Sequence, residues 1–115
     1  MKRRSDLYLK DILYSISKIK RYTRDLNQRD FINSDIVVDA VLENLIVIGE
    51  AVSQLSEEFK EKYQNVPWIM IKDFRNVAIH KYHSINYRIV WDILKNKIDE
   101  LEDQILKIMK KENVI

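Results

Sequence analysis

The chain has no cysteine, one glycine and one proline in 115 residues, and His80 and His83 are its only histidines. Without cysteine there is neither a disulfide framework nor a thiolate metal site. A zinc site would have to recruit carboxylates to the two imidazoles, and no such spacing occurs, so no metal and no cofactor are expected. Turn-rich β architectures need many glycines and prolines, so their scarcity points instead to long helices with short connections. An excess of one charge is missing too: 20 basic residues face 18 acidic ones, for a net charge of +2. Bulk charge therefore does not announce a nucleic-acid binder, and any such contact must come from local clustering. Long uninterrupted apolar runs are also lacking. The most apolar stretch, residues 36–55, contains Asp39, Glu43 and Glu50, which suits a buried helix and not a membrane span. No apolar signal-peptide core follows Met1-Lys2-Arg3-Arg4, and the lack of cysteine suits a reducing compartment, so a cytoplasmic protein is expected.

What is present reads as a single all-α domain over residues 1–115, an up-and-down bundle of four to five helices. A first helix is expected from a cap at Ser5 or Asp6 to about Arg24, with Leu9, Ile12, Leu13, Ile16 and Ile19 on its inner face. Lys18, Lys20, Arg21 and Arg24 crowd its end, either as a solvated terminus that complements the helix dipole or as a nucleic-acid contact. A second, central helix should run from Ser34 or Asp35 to about Leu55. Its polar stripe of Asp39, Glu43, Glu50 and Gln54 is interrupted by Ile46 and Val47, which suggests a partner surface. Gly49 in mid-helix costs about 1 kcal/mol relative to Ala, a cost normally offset by close approach of another backbone. Glu50 beside it needs a partner, and Arg75 is a candidate; a plain surface carboxylate is the alternative. A short helix over residues 56–63 follows. A fourth starts at Pro67 or Trp68 and buries Trp68, Ile71, Phe74, Val77 and Ala78. The last opens with Asn86 as its cap and carries a stripe from Tyr87 through Trp91 and Leu94 to Ile108.

Polar chemistry concentrates in Arg75-Asn76-Val77-Ala78-Ile79-His80-Lys81-Tyr82. A guanidinium holds a phosphate in a planar fork and stabilises charge building on it. An imidazole titrates near neutral pH and can move the proton of a ribose hydroxyl. Together they are what a metal-free attack on RNA needs. On a helix Asn76, His80 and His83 share one face, and Arg75, Ile79 and Tyr82 the next. Arg75 and His80 stand roughly 140 degrees apart on a straight helix. A two-fold dimer would close that gap by bringing a second motif to face the first. Structural roles compete: Arg75 paired with an acidic neighbour, Asn76 closing a turn, His80 as a satisfied structural residue, Tyr82 as a half-buried aromatic.

These residues resemble the HepT-like branch of the HEPN superfamily, whose pattern is R-x4-H-x-Y, usually with Asn after the Arg. Ile48-Gly49-Glu50-Ala51, Pro67-Trp68, and Ile85-Asn86 followed by Val90-Trp91 resemble the family's segments on either side, from about Leu7 to Ile108. Lys81 departs from the Gly that many relatives carry. The resemblance implies an all-helical ribonuclease toxin that dimerises through its bundle and cuts RNA without metal where two motifs meet. It places Arg75 on the scissile phosphate, His80 as general acid or base and Asn76 orienting one of them; His83, on the same helix face, and Glu50, beside Gly49, are expected as supporting residues. It also implies a minimal nucleotidyltransferase antitoxin of the MntA type, which transfers AMP to the motif tyrosine, here Tyr82. The alternatives are a non-catalytic helical dimer that binds a nucleotidyltransferase partner or nucleotides, and a plain helical assembly protein.

Overall fold

The computed structural model describes residues 4–79 and 86–114. Among them are eight helices and no strand: α1 (Ser5–Thr23), α2 (Gln28–Ile32), α3 (Asp35–Gln54), α4 (Glu57–Lys62), α5 (Trp68–Lys72), α6 (Phe74–Ile79), α7 (Tyr87–Asn96) and α8 (Ile98–Lys111). They form four rods, α1, α3, α5–α6 and α7–α8, with α2 and α4 as short connectors. The expected all-α bundle is what the chain builds.

Local chemistry explains most boundaries. Ser34 accepts a hydrogen bond from the Val37 N–H at 3.3 Å and Ser56 one from Phe59 at 3.1 Å, each satisfying a first-turn donor. Asn86 does the same for Arg88 at 2.9 Å, and Pro67 immediately precedes α5. The expected cap at Ser5 or Asp6 is corrected: Arg4 holds that position without a side-chain cap, and its guanidinium pairs with Asp6 at 3.2 Å. The short α2, capped by Asn27, was not expected from the sequence; it inserts Phe31 into the core against Trp91, ring centroids 5.4 Å apart.

Two expected helices are each broken. The fourth divides at Asp73 into α5 and α6. The last divides at Lys97, where φ −122° and ψ −31° interrupt the helix. Its stripe survives the break: Val90, Trp91, Leu94, Ile98, Leu101, Ile105 and Ile108 are all buried. The bend serves two neighbours, since α7 packs on α2 and α8 lies along α1. Lys20 on α1 holds Asp99 at 2.8 Å and Glu102 at 3.0 Å on α8. Those hydrogen bonds, Asp99 first, raise the Lys20 pKa above its ordinary value. At the other end α8 stops in a Schellman motif: Asn113 adopts a left-handed φ of 59°, and the Val114 N–H bonds to the Met109 carbonyl at 2.9 Å.

α3 is the central element, packed by α1, α5, α6 and α2, and it buries Val38, Val41, Leu42, Leu45, Ile48 and Val52. Gly49 lets α5–α6 come close. A Cβ built there would lie 2.7 Å from Arg75 Cβ and 3.0 Å from both the Arg75 nitrogen and the Lys72 carbonyl oxygen. These are backbone and near-backbone atoms that cannot swing aside. Gly49→Ala should therefore destabilise the fold by about 1–2 kcal/mol, overpacking outweighing the helix-propensity gain. Thermal unfolding should show a Tm lower by roughly 4–10 °C; an unchanged or raised Tm would contradict the packing.

A second latch joins α4 to the end of α8. The Tyr63 hydroxyl donates to the Glu112 carboxylate, and Lys62 Nζ reaches the same oxygen at 2.8 Å. The Lys62 hydrogen bond, with the Tyr63 bond second, holds the Glu112 pKa below the ordinary 4.5. A depressed carboxylate pKa contributes stability above the unfolded value and loses it as pH falls through the folded value. Glu112→Gln should thus lower Tm at pH 6, and its deficit against wild type should shrink below about pH 4.5. A deficit that stays constant down to pH 3 would remove Glu112 as its source.

Candidate functional site

The site is built where α6 crosses α3. Glu50 follows Gly49 on α3 and faces outward just where the Arg75 backbone is drawn in. The Arg75 guanidinium forms an ion pair with the Glu50 carboxylate, Nε being the nitrogen nearest Oε1, and both side chains are half-exposed. Local packing dictates this pairing: Phe74 and Ala78 are buried on the inner side of α6, which turns Arg75 and Asn76 toward solvent. The partnership expected from the sequence between Glu50 and Arg75 is present.

The geometry of the pair matters chemically. A guanidinium has five N–H donors in a rigid fork. Its nearest approach to Glu50 is through Nε. A guanidinium can meet two oxygens of a phosphate side by side.

Asn76 has a partner of its own. Its Nδ2 donates to Asp73 Oδ1 at 3.3 Å, across the break between α5 and α6. The amide thus spans the bend, close to the turn-closing alternative. His80, Lys81, Tyr82 and His83 lie outside the described residues. In sequence His80 follows Ile79, the last residue of α6, so the Arg75 fork and the imidazole belong to one short segment.

Other polar groups are committed elsewhere. Lys20 belongs to the α1–α8 contact, Arg21 lies over the Tyr22 ring and Lys18 over the Tyr14 ring. The basic end of α1 is therefore partly structural, which the sequence could not show because Asp99 and Glu102 are about eighty residues away. A groove of about 460 Å³ between α4 and α5 is lined by Lys60, Val66, Pro67, Ile69 and Met70, and its lining stops at Lys72, short of Arg75. Among the described residues no cluster of acidic and imidazole side chains suits a metal, and no helix is long and apolar enough to cross a membrane.

Comparison with known proteins agrees in extent with the observed bundle. A family described as Ribonuclease HepT-like matches residues 12–108. A gamma-glutamylcyclotransferase and putative RNase of Methanocaldococcus jannaschii is 38% identical over 110 residues, covering 96% of this chain and 50% of that protein. The chain thus spans half the length of that relative. A putative RNase of Caldanaerobacter subterraneus is 37% identical over 105 residues, covering 91% of this chain and 94% of its own. A probable ribonuclease HepT of Thermococcus cleftensis is 32% identical over 110 residues, covering 96% and 100%. No solved structure matches the chain. With the match running from the middle of α1 almost to the end of α8, the chain belongs to the HepT-like ribonuclease family.

Proposed function

We propose that the chain is a metal-independent endoribonuclease, the toxin of a toxin–antitoxin pair, acting as a homodimer in the cytoplasm. The observation that carries this reading is Arg75, a half-exposed guanidinium ion-paired with Glu50 where α6 crosses α3, five residues before the first of the chain's two histidines. The names of the RNase relatives support the same substrate class.

Arg75 holds the scissile phosphate and stabilises the charge that builds on its oxygens. His80 takes the proton of the adjoining ribose 2′-hydroxyl. The O2′–P bond forms as the P–O5′ bond breaks, and a second imidazole returns a proton to the departing 5′ oxygen. The products are a cyclic phosphate end and a 5′-hydroxyl end. The nucleophile belongs to the substrate and sits beside its target, so no metal-bound water is required. Asn76 and His83 support the site.

A second copy supplies the second imidazole. Partly buried Ile46 and Val47 interrupt the acidic outer stripe of α3, one turn before Glu50, and give the copies an apolar contact beside the site. Control falls to Tyr82, two residues beyond His80. A nucleotidyltransferase antitoxin transfers AMP to its hydroxyl, and the added phosphate repels and blocks RNA.

Cleavage of RNA by purified protein in EDTA should be lost in Arg75→Ala and in His80→Ala, with folding and oligomeric state retained. Persistent cleavage by the His80 variant would defeat the mechanism. Complex formation with the nucleotidyltransferase but no cleavage at any concentration would favour the non-catalytic binding module instead.

Tyr82→Phe should cut RNA as wild type does yet resist the antitoxin and ATP. Equal inactivation of both proteins would remove Tyr82 as the modified residue.

A further inference from the structure

We infer that the groove between the ends of α1 and α7, with the tyrosine face of α1 beside it, docks a single-stranded stretch of RNA outside the cleavage motif; its tie to cleavage rests on the ribonuclease reading above. The groove measures about 500 Å³. Its lining includes Lys20, Arg21 and Arg24 from the end of α1, Lys95 from the last turn of α7, and Asp99 and Glu102 from the start of α8. Lys20 meets both carboxylates of that lining, at 2.8 and 3.0 Å. One cation thus answers the negative charge of the groove, and three remain. Among the described residues Arg21, Arg24 and Lys95 form no ion pair.

Two of the three lie against aromatic rings instead. Lys95 Nζ is 4.6 Å from the centre of the Trp91 ring, and the Arg21 guanidinium is 5.5 Å from that of Tyr22. A ring face attracts a cation but has no net charge, so the positive charge stays available to a phosphate. The pattern continues along α1. Lys18 Nζ is 4.5 Å from the centre of the Tyr14 ring, and Tyr14 is 64% exposed. Helical spacing sets Tyr14, Lys18, Arg21 and Tyr22 within about 100 degrees of one another around α1.

Cations interleaved with accessible rings suit an unpaired strand, whose phosphates meet the cations while its bases stack on the rings. A duplex keeps its bases inside and would leave the tyrosines without a role. α7 links the groove to the motif. It begins seven residues after His80, and its ten residues run roughly 15 Å to end at the groove. A strand of a few nucleotides covers that span.

Fluorescence anisotropy with an uncleavable 2′-O-methyl oligoribonucleotide of about sixteen nucleotides tests the groove without cleavage. Wild type should bind it more tightly than a duplex of the same length or inorganic polyphosphate. Arg21→Ala/Arg24→Ala/Lys95→Ala should weaken binding at least tenfold at about 50 mM salt, and should lower the slope of log affinity against log salt by about 2, as loss of three phosphates of a single strand does. Lys107→Ala/Lys110→Ala/Lys111→Ala removes the same charge at the far end of α8 and should bind as wild type does. Tyr14→Ala should cost about fivefold or more yet leave the slope unchanged, because stacking releases no counterions. Should the triple groove variant unfold, Arg24→Ala/Lys95→Ala carries the same test with a slope change of about 1.4. On the matched cleavable oligomer in EDTA, the groove variant should raise KM and keep kcat. Wild type that binds with these dependences but cuts nothing would end the nuclease reading and leave the groove intact. Equal losses in the groove and far-end variants, a slope that ignores the groove cations, duplex or polyphosphate bound as tightly as the single strand, or a wild type that binds no single strand would each overturn the inference.

Discussion

The fold and the candidate site hang on one contact, the seating of α5–α6 against Gly49 of α3. A residue with any side chain there would meet Arg75 Cβ at 2.7 Å, so the two rods could not lie as close as they do. Glycine in the middle of a helix costs about 1 kcal/mol, and that cost is offset here by burial along α3. The same approach decides which residues become neighbours on the surface. Glu50 emerges beside Gly49 and Arg75 is pressed onto it, so the ion pair follows from the packing. Had the helices met at a larger residue, the carboxylate and the guanidinium would stand apart. A single missing Cβ thus links core geometry to surface chemistry.

The periphery is organised by polar ties of a different kind. Lys20 joins α1 to Asp99 and Glu102 of α8, while Tyr63 and Lys62 join the α4 end to Glu112. Exposed pairs of this type contribute little stability each, typically below about 1 kcal/mol. Their value lies in register. The first sits at the start of α8 and the second at its end, so together they fix how α8 lies along the bundle. The apolar stripe alone would tolerate a slide by one turn, because Ile98, Leu101, Ile105 and Ile108 repeat along it.

Much of this was legible in the sequence, for local reasons. Ser34, Ser56, Asn86 and Pro67 mark helix starts because caps are chosen by hydrogen bonds within three residues. The buried stripes follow from helical period, and Gly49 with Glu50 and Arg75 from asking what an expensive glycine and a lone carboxylate need. The breaks at Asp73 and Lys97 were not legible. Neither carries proline or glycine, and the bend at Lys97 arises because α7 must reach α2 while α8 follows α1, a demand set by distant elements. α2 escaped because five residues give periodicity too little to show. The Schellman end at Asn113 had a signal, an asparagine just past a lysine-rich helix end, but its left-handed residue is more often glycine. At the site, the bond from Asn76 to Asp73 depends on the break itself, so the motif could name the amide without naming its partner.

A chain with so little net charge cannot hold RNA by abundance of cations, since affinity from that source grows with the number of phosphates neutralised. Lys20, Lys60, Lys62, Lys107 and Arg4 each stand against a carboxylate, and those pairs add nothing to a field that would attract a polyanion. Arg75 is paired as well, with Glu50, but in a place where the backbone is held by close packing. One well-placed cation can do for a developing charge what many mobile ones cannot, because its donors need no reorganisation as the charge forms. In the proposed ribonuclease, sparse charge leaves the work to placement, and the close approach at Gly49 is what places the Arg75 backbone.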